Sequence, residues 1–156
     1  MKSKFKVYSV AILIPLAVGA FSAWITKGSM DIYSAINRPA LSPPSYLFPI
    51  VWSVLYILLG ISSAIIYLSD AKHDDKRSAL SVYAANLAVN FFWSIIFFNM
   101  RKYLFSFIWL ILLVITIIAM ISKFKKISKT AAYLQIPYLL WVIFAGYLNL
   151  MIYILN

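Results

Sequence analysis

Three sets of residues have the types and spacing to build a site for an aromatic guest. Asn86, Asn90, Trp93 and Phe97 fall at i, i+4, i+7 and i+11, which places them on one face of a helix. Ser45, Trp52 and Tyr56 share a second face, and Tyr138, Trp141, Ala145 and Asn149 a third. Each set combines an aromatic ring with an amide, a hydroxyl or a small residue. A buried amide or indole N–H needs a hydrogen-bond partner, so these faces should point inward. Such groups can do two things. They can glue helices together, or they can line an apolar cavity with a few oriented polar groups, the usual composition of a small-molecule site. For any single residue glue is the simpler reading. Three stripes together favour a cavity whose natural guest is flat and hydrophobic and stacks on indole.

Other chemistries lack their residues. The 156-residue chain has no cysteine and one histidine, His73, and its four acidic residues are Asp31, Asp70, Asp74 and Asp75, with no glutamate. Disulfides, thiolate catalysis, metal clusters and paired-carboxylate catalysis are excluded or nearly so. No metal or cofactor is expected, and no conventional catalytic constellation exists. All four aspartates fall in breaks between apolar runs or at their ends. An ion-coupled transporter needs a titratable group at membrane depth, so that class is disfavoured. His73, in the run Asp70-Ala-Lys-His-Asp-Asp-Lys-Arg77, reads as a solvated loop residue.

The stripes must be positioned by membrane helices. Hydrophobic residues make up 64% and charged residues 12% of the chain, and the mean hydropathy is +0.91, whereas a soluble domain is about half apolar and a quarter charged. Five runs approach the ~20 apolar residues that a spanning helix requires: 5–25, 46–68, 79–98, 103–121 and 131–155. Lipid offers the backbone no hydrogen bonds, so each must be helical. The predicted fold is an all-α integral membrane protein, a five-transmembrane-helix bundle forming one domain over 1–156. The net charge of +10 then reports orientation, and nucleic acid is not an expected partner. Lys2, Lys4 and Lys6, Lys72, Lys76 and Arg77, and Lys123, Lys125, Lys126 and Lys129 lie on one side, against Lys27, Arg38, Arg101 and Lys102 on the other. The positive-inside rule puts the N-terminus in the cytoplasm and the C-terminus outside.

The N-terminal run resembles a signal peptide but is longer than a usual h-region, so an uncleaved first helix is expected. Interfacial belts account for Trp24, Tyr67, Tyr103 and Tyr153 near span ends. The longest break, 26–45, contains Pro39, Pro43 and Pro44. Its apolar residues Ile32, Tyr33, Ile36 and Leu41, with Leu47 beyond, predict packing over the bundle. Pro15 and Pro137 lie inside spans one and five and predict kinks there. Gly19, Ala20 and Ala23 could allow close helix approach within or between protomers.

Three segments together resemble the TspO/MBR family of translocator and tryptophan-rich sensory proteins. They are Arg38-Pro-Ala-Leu-Ser-Pro-Pro44 followed by Phe48-Pro-Ile-Val-Trp52-Ser-Val-Leu-Tyr56-Ile-Leu-Leu-Gly60, then Asn86-Leu-Ala-Val-Asn90-Phe-Phe-Trp93-Ser-Ile-Ile-Phe-Phe98, and Pro137-Tyr138-Leu-Leu-Trp141-Val-Ile-Phe144-Ala145-Gly146-Tyr147-Leu-Asn149. The resemblance covers most of the chain. It implies a five-helix bundle, commonly a homodimer, in a bacterial cell membrane. It also implies binding of porphyrins such as protoporphyrin IX and of flat hydrophobic synthetic ligands between the helices, beneath the first loop. Carried over residue by residue, the lining is Tyr33, Trp52, Asn90, Trp93, Ser94, Trp141 and Ala145; the second stripe adds Tyr56. Some bacterial members promote light-dependent breakdown of protoporphyrin IX, attributed to the tryptophans matching Trp52 and Trp141. An indole stacked on a photoexcited porphyrin is oxidisable.

The chain departs from the family at three places. Ile32 and Leu41 stand where the first loop often carries tryptophan, the fourth span lacks an acidic residue, and nothing basic follows Tyr147. The last departure leaves cholesterol binding unsupported. The leading expectation is a porphyrin-binding membrane protein in tetrapyrrole handling or stress sensing. A facilitator of transport for porphyrins or other lipophilic molecules is the alternative, and a structural partner of another membrane protein is a third.

Overall fold

The computed structural model describes residues 2–29 and 31–156. Seven α-helices follow in chain order: α1 (Lys2–Thr26), α2 (Ile32–Ala35), α3 (Leu47–Leu68), α4 (His73–Ser94), α5 (Tyr103–Lys125), α6 (Lys129–Tyr133) and α7 (Ile136–Leu155). A π-helical turn, Ile95–Asn99, extends α4. Five spans are long and apolar enough to cross a bilayer: Ser3–Thr26, Leu47–Leu68, His73–Asn99, Tyr103–Lys125 and Lys129–Leu155. No strand occurs among the described residues. The predicted five-helix membrane bundle is the observed architecture.

Helices run past the apolar segments wherever the added residues suit helix ends. α4 starts at His73, which was expected in a loop. Its first turn carries Asp74 and Asp75, where negative charge meets the positive end of the helix dipole. α5 continues to Lys125 and has Lys123 and Lys125 in its last turn, the complementary case. The expectation for Pro137 needs correction. The fifth span does not kink at this proline. Its helix stops at Tyr133 and restarts at Ile136, so Pro137 lies in the first turn of α7. There the missing N–H would have lacked a partner in any case. Pro15 does lie inside α1.

The main helix pairs are α1 with α3, α4 with α5 and α5 with α7; α1 also meets α4 and its π turn, and α6 closes against α3 and α5. The core between them is made by Leu59, Ile66, Leu113, Ile117, Met120, Phe124, Tyr138 and Val142, all nearly inaccessible. Two glycines set the α1–α3 distance. A Cβ on Gly60 would collide with the Ile12 backbone of α1, and one on Gly19 would collide with the Tyr56 ring of α3. Gly19 therefore serves packing within the protomer.

The α1–α3 connection folds over one end of the bundle, as its apolar residues predict, with one exception. Tyr33 is buried, whereas Leu41 is exposed. The Tyr33 hydroxyl donates to the Pro43 carbonyl at 2.7 Å, and the Arg38 guanidinium lies 4.5 Å from the centre of its ring. A second fastening reaches the chain end. The Asn37 N–H donates to Asn156 Oδ1 at 3.1 Å, and Asn156 Nδ2 donates to the Asn37 carbonyl at 2.8 Å. Trp24, Tyr67 and Tyr153 are exposed near helix ends, as interfacial residues should be.

Candidate functional site

Most polar residues of the three stripes are hydrogen-bonded to one another in two groups that span α3, α4, α5 and α7. The Tyr56 hydroxyl on α3 donates to Asn90 Oδ1 on α4 at 3.3 Å. Asn90 Nδ2 donates to the Tyr138 hydroxyl on α7 at 2.8 Å, which donates to Asn86 Oδ1 at 3.0 Å. Asn86 Nδ2 in turn donates to Thr116 Oγ1 on α5 at 3.0 Å. Nearer the loop side, Trp93 Nε1 and Ser106 Oγ both donate to Asn149 Oδ1, at 3.1 and 2.9 Å, and Asn149 Nδ2 donates to the Tyr103 carbonyl at 2.8 Å. Asn86, Asn90 and Asn149 are all buried. The glue reading is therefore correct for these amides, which are consumed by protein partners.

Replacing Tyr138 by phenylalanine should strand Asn86 Oδ1 and Asn90 Nδ2 together. The expected loss is about 1–2 kcal/mol, given ~1–3 kcal/mol for an orphaned buried group in water and about 0.6 on average for a membrane hydrogen bond. Thermal unfolding in detergent measures it.

Above this floor the helices do not close. A cavity of about 530 Å³ lies between α1, α3, α4 with its π turn, and α7, roofed by Tyr33. That volume is within the roughly 300–1,000 Å³ of small-molecule sites. Of the residues expected to form a site, Tyr33, Trp52, Tyr56, Asn90, Trp93, Ser94 and Ala145 all line it. Trp52 is half-buried, with its ring 5.5 Å from Tyr56 and 6.2 Å, edge to face, from Tyr138. Trp93 stacks on Phe97 at 5.3 Å.

Trp141 is the exception. It does not line the cavity. Its ring packs edge to face against Phe48 at 5.8 Å, and Phe48 is the residue that forms the wall there. The Trp141 indole N–H is buried without a partner among the described residues. The three-residue step from Tyr138 to Trp141 turns Trp141 off the inward face, while Ala145 and Asn149 stay on the Tyr138 side.

The stripes also left one wall unassigned. α1 contributes Leu16, Gly19, Ala20, Ser22, Ala23 and Thr26. The available signal was the density of small residues from Gly19 to Ala23, which leaves space beside a helix as readily as it permits contact.

Chemically, the site offers mainly rings and alkyl groups, with the hydroxyls of Ser22, Thr26, Ser45, Ser53 and Ser94 in its wall. The Trp93 N–H, the Asn90 and Asn149 amides and the Tyr33 and Tyr56 hydroxyls are already engaged. No group of three or more metal-ligating side chains occurs among the described residues.

Comparison with known proteins agrees with this architecture. The profile of the TspO/MBR family matches residues 11–155. Tryptophan-rich protein TspO of Chlorobaculum tepidum is 34% identical over 100% of this chain and 99% of its own length. Protein CrtK of Rhodobacter capsulatus is 32% identical over 97% of this chain and 92% of its own length. Translocator protein of Bos taurus is 30% identical over 88% of this chain and 82% of its own length. With five membrane helices and a match that spans nearly all of them, the chain belongs to the TspO/MBR family.

Proposed function

We propose that this membrane protein binds a planar, mostly apolar molecule of the porphyrin class, such as protoporphyrin IX, in the cavity between α1, α3, α4 and α7. The observation that carries the reading is the wall itself: about 530 Å³ lined by Trp52, Trp93, Tyr33, Tyr56, Phe48 and Phe97, with its amides spent on the protein. Offset stacking and edge contacts on these rings favour a flat guest. The exposed Arg38 guanidinium beside the Tyr33 roof gives a carboxylate-bearing ligand a cation at the membrane surface. The name of the Cereibacter sphaeroides relative, tryptophan-rich sensory protein, agrees with a role in sensing such a molecule.

Titration of the purified protein with protoporphyrin IX, followed by indole emission, tests this. Saturable quenching at one porphyrin per chain is expected; quenching that only grows with partitioning into the detergent contradicts it. Illumination of the complex tests for breakdown. With Trp52 in the wall and Trp141 behind Phe48, protein-dependent loss of porphyrin absorption should disappear in Trp52→Phe and persist in Trp141→Phe. A second reading, facilitated movement of lipophilic molecules, is favoured by the lipid-facing residues in the α1 and α3 walls. Light-independent flux into liposomes would support it.

The cytoplasmic placement of the N-terminus, proposed from the distribution of lysine and arginine, predicts that an alkaline phosphatase fused after Asn156 is active in intact bacterial cells. Activity of a cytoplasmic reporter alone at that position contradicts it.

A further inference from the structure

The cavity wall is exposed on one side only. Of the residues that line it, those exposed are Ala20 and Ala23 on α1, Pro49 and Ser53 on α3, and Ser45 just before α3. Every wall residue from α4, its π turn and α7 is buried or half-buried. We infer that the guest reaches the cavity sideways, through the gap between α1 and α3, from the half of the bilayer on the α1–α3 loop side. The class of ligand is then a membrane-dissolved planar molecule, not one delivered from water. This inference rests on the binding reading above and adds its route.

The other approaches are closed by bonded structure. The floor is the Tyr56–Asn90–Tyr138 chain. The roof is Tyr33, tied to Pro43, within a loop that Asn37 and Asn156 fasten to the end of α7. A route through water would break those contacts at each passage. Deeper in the bundle α1 and α3 pack closely, with Gly60 against Ile12 and Gly19 against Tyr56. Towards the loop, the exposed wall residues Ala20 and Ala23 of α1 and Ser53 of α3 are small, which leaves room for passage between the two helices. An apolar planar guest also concentrates in the acyl chains, because burial of its surface there removes it from water. The lipid is thus both reservoir and path.

The test uses protein in vesicles, with protoporphyrin IX transferred from donor vesicles and indole quenching followed by stopped flow. Narrowing the gap with Ala23→Trp or Ser53→Trp should slow association and dissociation together, each by about tenfold. A substitution that merely damaged the site would instead speed dissociation. The absence of cysteine from the chain permits a second arm, in which Asn37→Cys and Asn156→Cys are crosslinked to hold the loop shut. Transfer rates within about twofold of the uncrosslinked protein are expected. The inference is overturned if the crosslink stops transfer, or if neither tryptophan variant slows it. Failure of the unaltered chain to show saturable quenching is a separate result: it removes the binding reading, and this route with it.

Discussion

Replacing Ala145 by phenylalanine is expected to weaken porphyrin binding on the order of a hundredfold while leaving the bundle folded. Ala145 is buried in the α7 wall of the cavity, and the stripe Tyr138–Ala145–Asn149 directs its Cβ towards the space between the helices. A benzyl group there has room to enter only where the guest would lie. Forcing extra atoms into a filled site costs about 1–3 kcal/mol, and every ~1.4 kcal/mol is tenfold in affinity. Loss of stacking contacts adds to this, so binding should weaken on the order of a hundredfold. Indole quenching gives the affinity, and far-ultraviolet circular dichroism with the unfolding midpoint reports the fold. Unchanged affinity would mean that the ligand lies elsewhere.

Gly60→Val should have the largest effect on stability. A single Cβ at this position already meets the backbone of Ile12, and backbone cannot rotate away as a side chain can. α1 and α3 must separate where Gly60 meets Ile12, at a cost of about 3 kcal/mol, the upper end of the usual range for overpacking. Thermal or dodecyl-sulfate unfolding in detergent measures the loss. Gly146→Ala is the control, since nothing lies within 4 Å of its added Cβ; its stability should stay within about 0.5 kcal/mol of the parent. A Gly60→Val protein as stable as the parent would refute the close α1–α3 packing.

Much of this was legible in the sequence, for reasons that differ by residue. The spans follow from the 64% hydrophobic composition interrupted by short charged breaks, because a bilayer enforces helix on any long apolar segment. Asn86, Asn90 and Asn149 declared themselves because an amide cannot face acyl chains without a partner. Periodicity placed them inward, but it could not say whether they would bind a guest or each other. The structure shows them bonded to Thr116, Tyr138, Trp93 and Ser106, and leaves the rings to face the cavity.

Trp141 shows the limit of a stripe. Residues three apart on a helix diverge by about 60°, enough to turn one ring behind Phe48 while Tyr138 points inward. Pro137 shows another, since a proline inside an apolar run can either kink a helix or begin one, and hydropathy does not distinguish the two. The α1 wall was hidden because it is made mostly of small residues, which are defined by the space beside them.

The most direct measurement is an experimental structure of the protein with protoporphyrin IX bound in a lipid environment. The account predicts the macrocycle between α1, α3, α4 and α7, beneath Tyr33 and against Trp52 and Trp93, with its carboxylates directed to the loop side near Arg38. A porphyrin found on the lipid-facing surface, with the space beside Trp52 filled by rearranged side chains or left without ligand, would contradict it.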